Sequence, residues 1–223
     1  DTDRSRGLGD VYKRQVLDNT RLLLSGRLAN NVLLFGDGGT GKSATVKSML
    51  YREGMEDLRL IEIQKENLVG MPQLMRSLGG RRHKFILFID DLAFDQDDKT
   101  YSSMKTILEG GLEKRPANVA IYATSNRRHL VKETFSDREG DEIHLADTMQ
   151  ELMSLSARFG LTITFSRPDK ELYCHIVQNL ALLYGIEMPE AELMIKAEAH
   201  AIRNGGRSPR VAKQFIELLK AEV

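Results

Sequence analysis

Asn31-Val32-Leu33-Leu34-Phe35 reads as a buried strand, and it runs without a break into Gly36-Asp37-Gly38-Gly39-Thr40-Gly41-Lys42-Ser43. That segment matches G-x-x-x-x-G-K-[ST] in full, and Lys42 to Arg52 beyond it has helical character. A strand, a glycine-rich corner and a helix are the setting in which this pattern cradles phosphate. Glycines let the backbone turn tightly and aim successive N–H groups at phosphate oxygens. The positive end of the following helix adds to the same field. The pattern therefore assigns Gly36, Asp37, Gly38, Gly39, Thr40 and Gly41 to the cradle. It gives Lys42 the β- and γ-phosphates of a nucleoside triphosphate, and Ser43 a Mg²⁺ ion.

Phe85-Ile86-Leu87-Phe88-Ile89-Asp90-Asp91 supplies a second element. An apolar strand that ends in a carboxylate sets that carboxylate at the sheet's C-terminal edge, beside the phosphate loop. Asp90 is the expected acid on the Mg²⁺ side, acting through a metal-bound water or through Ser43. Asp91 is the candidate to polarise an attacking water; the bland reading is a solvated acidic turn, with Asp95, Asp97 and Asp98 on the surface nearby.

Apolar strand candidates recur at Leu58 to Ile63, Val119 to Ala123 and Leu161 to Phe165, with helical patterns between them at Tyr101 to Leu112 and Thr148 to Arg158. Such alternation predicts a mainly parallel sheet covered on both faces. The stretch Lys132 to Asp147 is charged and reads as a surface excursion. The character changes near Arg167-Pro168. Beyond it, Asp169 to Tyr184, Pro189 to Arg203 and Ser208 to Glu222 read as three helices, broken at Gly185 and at Gly205-Gly206. Before the first strand, Leu22, Leu23, Leu24 and Leu28 suggest a short helix; the expected division is a disordered or non-native segment at 1–15, an α/β body at 16–166 and a small helical domain at 167–223.

Three further features bear on the site. Val119 to Asn126 is a strand that ends in the polar triplet Thr124-Ser125-Asn126, where Asn126 either holds a water or γ-phosphate oxygen or caps the next turn. Arg158 in Ser156-Ala157-Arg158-Phe159-Gly160 is either an ordinary cation at a helix C-terminus or a side chain that projects into a neighbour's site. Ser208 suits an N-cap and Pro209 the first helical position, which fixes Arg210 in the first turn of the last helix.

The order of these elements resembles the AAA+ superfamily of ATPases. More narrowly, Asn30 to Leu34, Phe85 to Leu92, Leu108 to Leu112, Ile121 to Leu130, Phe135 to Glu139 and Leu155 to Leu161 resemble a bacterial family of predicted AAA+ ATPases of unknown function. The resemblance implies a P-loop three-layer α/β/α fold with a parallel five-stranded sheet in the order 5-1-4-3-2, followed by a helical lid. It also implies ATP at the body–lid and subunit interface, Mg²⁺ and a homo-oligomer. By position Asn126 would be sensor 1, Arg158 the arginine finger and Arg210 sensor 2, with Arg127, Arg128 and Arg138 as rivals for the finger. Members of that family usually carry a further N-terminal region, so this chain, which begins at Asp1, reads as a piece of a longer protein or as carrying a non-native junction. One departure matters. Most AAA+ hydrolases place glutamate where Asp91 stands; aspartate's carboxylate sits roughly 1.5 Å further back, and a misplacement of about 1 Å can cost about 10²-fold in rate.

Composition narrows the partners without choosing one. Lys plus Arg and Asp plus Glu are both 32, so no net field draws the chain to nucleic acid or an anionic membrane. The apolar runs are strand-length, well short of the roughly 20 residues that span a bilayer. The single cysteine, Cys174, fits a reducing, cytoplasmic setting. A nucleotide-gated switch with little hydrolysis is the main rival reading, motivated by Asp91. A small-molecule kinase would need an arginine-bearing lid inserted in the body, whereas here the helical segment follows it. No client is legible.

Overall fold

A computed structural model describes residues 2–93, 99–109, 114–126 and 155–221, with backbone alone for 2–12 and 99. The chain falls into two compact units. One holds Val11–Gly36 and Lys42–Thr164; the other holds Asp1–Asp10, Asp37–Gly41 and Phe165–Val223.

The first unit is built on strands β1 (Val32–Gly36), β2 (Leu58–Glu62), β3 (Lys84–Ile89), β4 (Val119–Asn126) and β5 (Leu161–Phe165), in the order β2-β3-β4-β1-β5. This is the expected parallel five-stranded sheet. Its central strands read as unbroken apolar runs because a parallel sheet is buried on both faces. Every residue of β3 from Phe85 to Ile89 is buried, as is β4 from Val119 to Ser125. Helices α2 (Lys42–Lys47), α3 (Met71–Leu78) and α4 (Lys99–Glu109) connect the strands, with 3₁₀ turns at Ser48–Tyr51 and Lys65–Gly70. The helical stretch read from Lys42 to Arg52 is thus a short α-helix that tightens into 3₁₀.

Alternation along the strands sorts the core. Leu33, Leu87, Ile89, Ile121 and Ala123 share one cluster with Leu68, Met71, Met75, Met104 and Phe159. Tyr122, between Ile121 and Ala123, points the other way and meets helix α1 (Thr2–Leu24), where Val16, Asn19, Thr20 and Leu23 are buried. That spacing, i, i+3, i+4 and i+7, is one face of a helix. Helix α1 also takes in residues 2–15, the stretch set apart in the expected division. Two of the stripe's four members are polar. Their polar groups are satisfied: Thr20 Oγ1 donates to the Val16 carbonyl at 2.8 Å, so the Tyr122 hydroxyl, 2.9 Å away, must donate to Thr20. Asn19 Nδ2 donates in turn to the Tyr122 hydroxyl at 3.0 Å. Burial raises the Tyr122 phenol's pKa, against the opposing pull of those hydrogen bonds.

The second unit is a helical cluster of α5 (Lys170–Tyr184), α6 (Glu190–Arg203) and α7 (Pro209–Ala221). Asp169 caps α5 by accepting from Leu172 N–H at 2.8 Å, and Gly185, at φ 68, ends it. There Ile186 N–H reaches the Ala181 carbonyl and Gly185 N–H the Leu182 carbonyl, the paired closure of a Schellman motif. Ser208 Oγ accepts from Val211 N–H at 3.2 Å, so Ser208 is the N-cap of α7 and Pro209 its first residue, as expected. Tyr173, Val177 and Ala181 pack with Leu193, Ala197 and Ala201 and with Ala212, Phe215, Ile216 and Leu219.

Candidate functional site

The sheet register aligns the C-terminal ends of three strands. Gly36 at the end of β1 stands opposite Asn126 on β4, and Ile89 at the end of β3 stands opposite Ala123. Residues that follow those ends are thereby gathered at one corner of the sheet. Lys42 opens α2 there, with its residue only 6% exposed. A buried ammonium needs acceptors. Its Nζ donates to the Gly36 carbonyl and to Asn126 Oδ1, each at 2.9 Å. Next along the helix, Ser43 Oγ donates to Asp90 Oδ1 at 2.6 Å.

The turn after β3 is tied to the end of β4 residue by residue. Thr124 Oγ1 donates to Asp90 Oδ1 at 2.6 Å and accepts from Asp91 N–H at 2.9 Å. Leu92 N–H reaches the Thr124 carbonyl at 2.7 Å, and Ser125 Oγ the Leu92 carbonyl at 2.6 Å. Asn126 Nδ2 donates to Asp91 Oδ1 at 2.6 Å. Among the described residues Asp91 is the one non-glycine at positive φ, at 54°. That region costs most L-residues about 1–2 kcal/mol, less for aspartate, and such residues persist where surrounding structure over-determines them. Lys47 adds a cation on the far side of Asp90: its Nζ lies 3.1 Å from Glu62 Oε2 and 4.0 Å from Asp90 Oδ2.

The intervening loop, Asp37–Gly41, is described with the helical unit. Asp37 N–H donates to the Phe165 carbonyl at 3.1 Å, and Thr40 Oγ1 to the Asp37 carbonyl at 2.8 Å. Gly39, at φ 75, accepts on its carbonyl from Arg210 N–H at 3.3 Å. A Cβ on Gly39 would stand 3.2 Å from Ser208 Oγ and 3.3 Å from Arg210 Cβ, so the first turn of α7 comes this close because the residue is glycine. Gly41, at φ 96, has open space around it; its backbone angle, not crowding, calls for glycine.

Lys42, Ser43, Asp90, Asp91 and Asn126 thus converge, as the sequence suggested. Arg158 takes a different partner: its Nε donates to Glu109 Oε1 at 2.7 Å. Arg127, Arg128, Arg138, Phe135, Asp95, Asp97 and Asp98 lie outside the described residues, as do 148–154 of the helix expected from Thr148 to Arg158 and the whole excursion read at Lys132 to Asp147. Thr124 and Lys47 were not singled out from sequence. The Thr-Ser-Asn triplet at the end of an apolar strand was the available signal for Thr124; nothing local marks Lys47. For a metal, the corner offers the Ser43 hydroxyl and the Asp90 carboxylate. Among the described residues no group of three or more His, Cys, Asp and Glu could form a metal cage, and no helix is long and apolar enough to cross a membrane.

Solved structures share this architecture. A variant of Thermotoga maritima RuvB superposes with a TM-score of 0.60 at 17% identity, over 94% of this chain and 60% of that one. The Thermotoga maritima RuvB Holliday junction branch migration motor gives 0.54 at 17% identity, again over 94% and 60%. The Aeropyrum pernix Orc1 protein, in complex with DNA, gives 0.50 at 16% identity over 96% and 64%. This chain therefore spans less than two thirds of the length of each, and at such identities the likeness establishes the fold alone: a P-loop α/β architecture on a parallel five-stranded sheet. The curated proteins compared hold no match. Over residues 6–223 the sequence matches a family described as "Protein of unknown function (DUF815)". The chain belongs to that family.

Proposed function

We propose that this protein binds ATP and hydrolyses it with the help of Mg²⁺, and that nucleotide state rearranges a helical lid and a homo-oligomer around a client. The observation that carries the reading is the convergence of Lys42, Ser43, Asp90, Asp91 and Asn126 at one corner of the sheet, bridged by hydrogen bonds of 2.6–2.9 Å. The functional division we propose is an ATPase domain over 16–166 and a lid over 167–223.

In this reading the amides of 36–41 and the Lys42 ammonium hold the triphosphate. The hydroxyl of Ser43 and the carboxylate of Asp90 are hard oxygen donors of the kind Mg²⁺ takes, alongside phosphates, when a protein provides only one or two carboxylates. Mg²⁺ would supply neutralisation of charge on the phosphate oxygens. Asp91 and Asn126 orient a water. Its oxygen bonds to the γ-phosphorus as the bond to the β–γ bridging oxygen breaks, its proton passes to Asp91, and ADP and phosphate leave. Arg210 reads the γ-phosphate in cis. Arg158 serves a neighbour's site in trans, for which it must first give up Glu109.

A second reading, an ATP-gated switch that hydrolyses little, draws on one contact: Asn126 Nδ2 occupies the Asp91 carboxylate at 2.6 Å. Steady-state phosphate release separates the two at concentrations that allow oligomers. Hydrolysis predicts turnover by the wild type and a loss of about 10²-fold or more in Asp91→Asn, the range for a group that takes a proton in the transition state. Wild-type release equal to buffer, with ATP bound, selects the switch.

A further inference from the structure

We infer that Thr124 is a positioning residue that aims Asp91, and that its hydroxyl compensates for an acid one methylene shorter than glutamate; the inference rests on the ATPase reading above. The hydroxyl has a single proton. That proton goes to Asp90 Oδ1 at 2.6 Å, so toward Asp91 N–H, at 2.9 Å, Thr124 acts only as an acceptor. The residue is 1% exposed. One buried oxygen therefore fixes the carboxylate of one acid and the backbone of the next.

The consequence is directional. Were β3 to continue as an extended strand, Asp90 and Asp91 would point to opposite faces. At φ 54 the backbone of Asp91 breaks that alternation. Asp90 Oδ1 then meets Thr124 and Asp91 Oδ1 meets Asn126. Thr124 and Asn126 are two residues apart on β4 and so share a face. Both carboxylates end up facing it, with Lys42 Nζ against Asn126 as well. The Leu92-to-Thr124 backbone bond helps to hold the turn, but only the Thr124 side chain bonds to Asp91 itself through its N–H.

The test compares kcat and ATP affinity in the full chain for the wild type, Thr124→Val and Thr124→Ser, with Thr124→Val repeated on Asp91→Asn. Valine keeps the shape and loses both bonds. The expected result is a kcat about 10²-fold lower with ATP affinity within about 3-fold, as for a misplaced catalytic group. Serine, which keeps the hydroxyl, should restore kcat to within about 5-fold of wild type, and valine should cost under about 3-fold more once Asp91 is already asparagine. Should Thr124→Val not give a folded chain, Thr124→Ala carries the same expectations. Wild-type turnover by the valine variant overturns the inference and leaves the ATPase reading standing. So does equal slowing by serine and valine, or a full additive loss on Asp91→Asn, since either marks a packing role. ATP binding without any wild-type turnover overturns hydrolysis and this role together.

Discussion

Two polar networks hang from the same strand, two residues apart. At Tyr122, Asn19 and Thr20 meet a phenol in an environment where each hydroxyl and amide has a partner and none of the bonds ends on a carboxylate. At Thr124 to Asn126, the same kinds of hydrogen bond end on two adjacent carboxylates and an ammonium, and the backbone between the carboxylates is left-handed. Satisfied polar groups are common to both and distinguish neither. The difference is what satisfaction is spent on. The first network fastens a helix to the sheet; the second holds like charges side by side in a conformation the chain would not choose alone, which is the pattern expected where chemistry requires it.

Substitutions at the two corners should therefore separate along different axes. The largest effect belongs to Asn126→Ala. Removing a donor aimed at a reacting centre costs about 10²–10³-fold in kcat, and enzyme assays should show a loss of that order with a thermal midpoint close to wild type. A large fall in stability with catalysis preserved would reverse the contrast. Tyr122→Phe should act on the other axis. It strips a buried acceptor from Asn19 and a donor from Thr20, which costs about 1–3 kcal/mol in urea denaturation, with kcat unchanged. A drop in kcat there would mean that α1 is coupled to the site. The smallest effect is on stability at Asp91 itself. Asp91→Gly relieves the left-handed backbone, so stability should hold or rise by up to about 1 kcal/mol while turnover falls by about 10²-fold. Marked destabilisation would show that the turn is unstrained.

The same contrast explains what could be read from the chain. Strands β1, β3 and β4 were legible because two-sided burial writes itself as continuous apolar sequence, and the phosphate loop because its eight residues are contiguous. The convergence of Asp90 and Asn126 followed from strand ends meeting at one edge of a parallel sheet. Helix α1 was legible only at its end, from Leu22, Leu23 and Leu24; Asn19 and Thr20 interrupt its apolar stripe, and only the Tyr122 hydroxyl, more than a hundred residues away, makes them good core residues. The left-handed Asp91 was equally hidden, since Thr124, 33 residues on, accepts its N–H. Arg158 shows the same limit: its pairing with Glu109 spans 49 residues and leaves no local trace.

The central claim is that the Lys42 ammonium, with the loop amides around it, holds a triphosphate. Isothermal titration of wild type and Lys42→Ala with ATP and Mg²⁺ addresses it without depending on turnover, oligomer or client. Saturable binding by the wild type and none by Lys42→Ala is the predicted result. Matching affinities in the two proteins would contradict the assignment of this corner to phosphate.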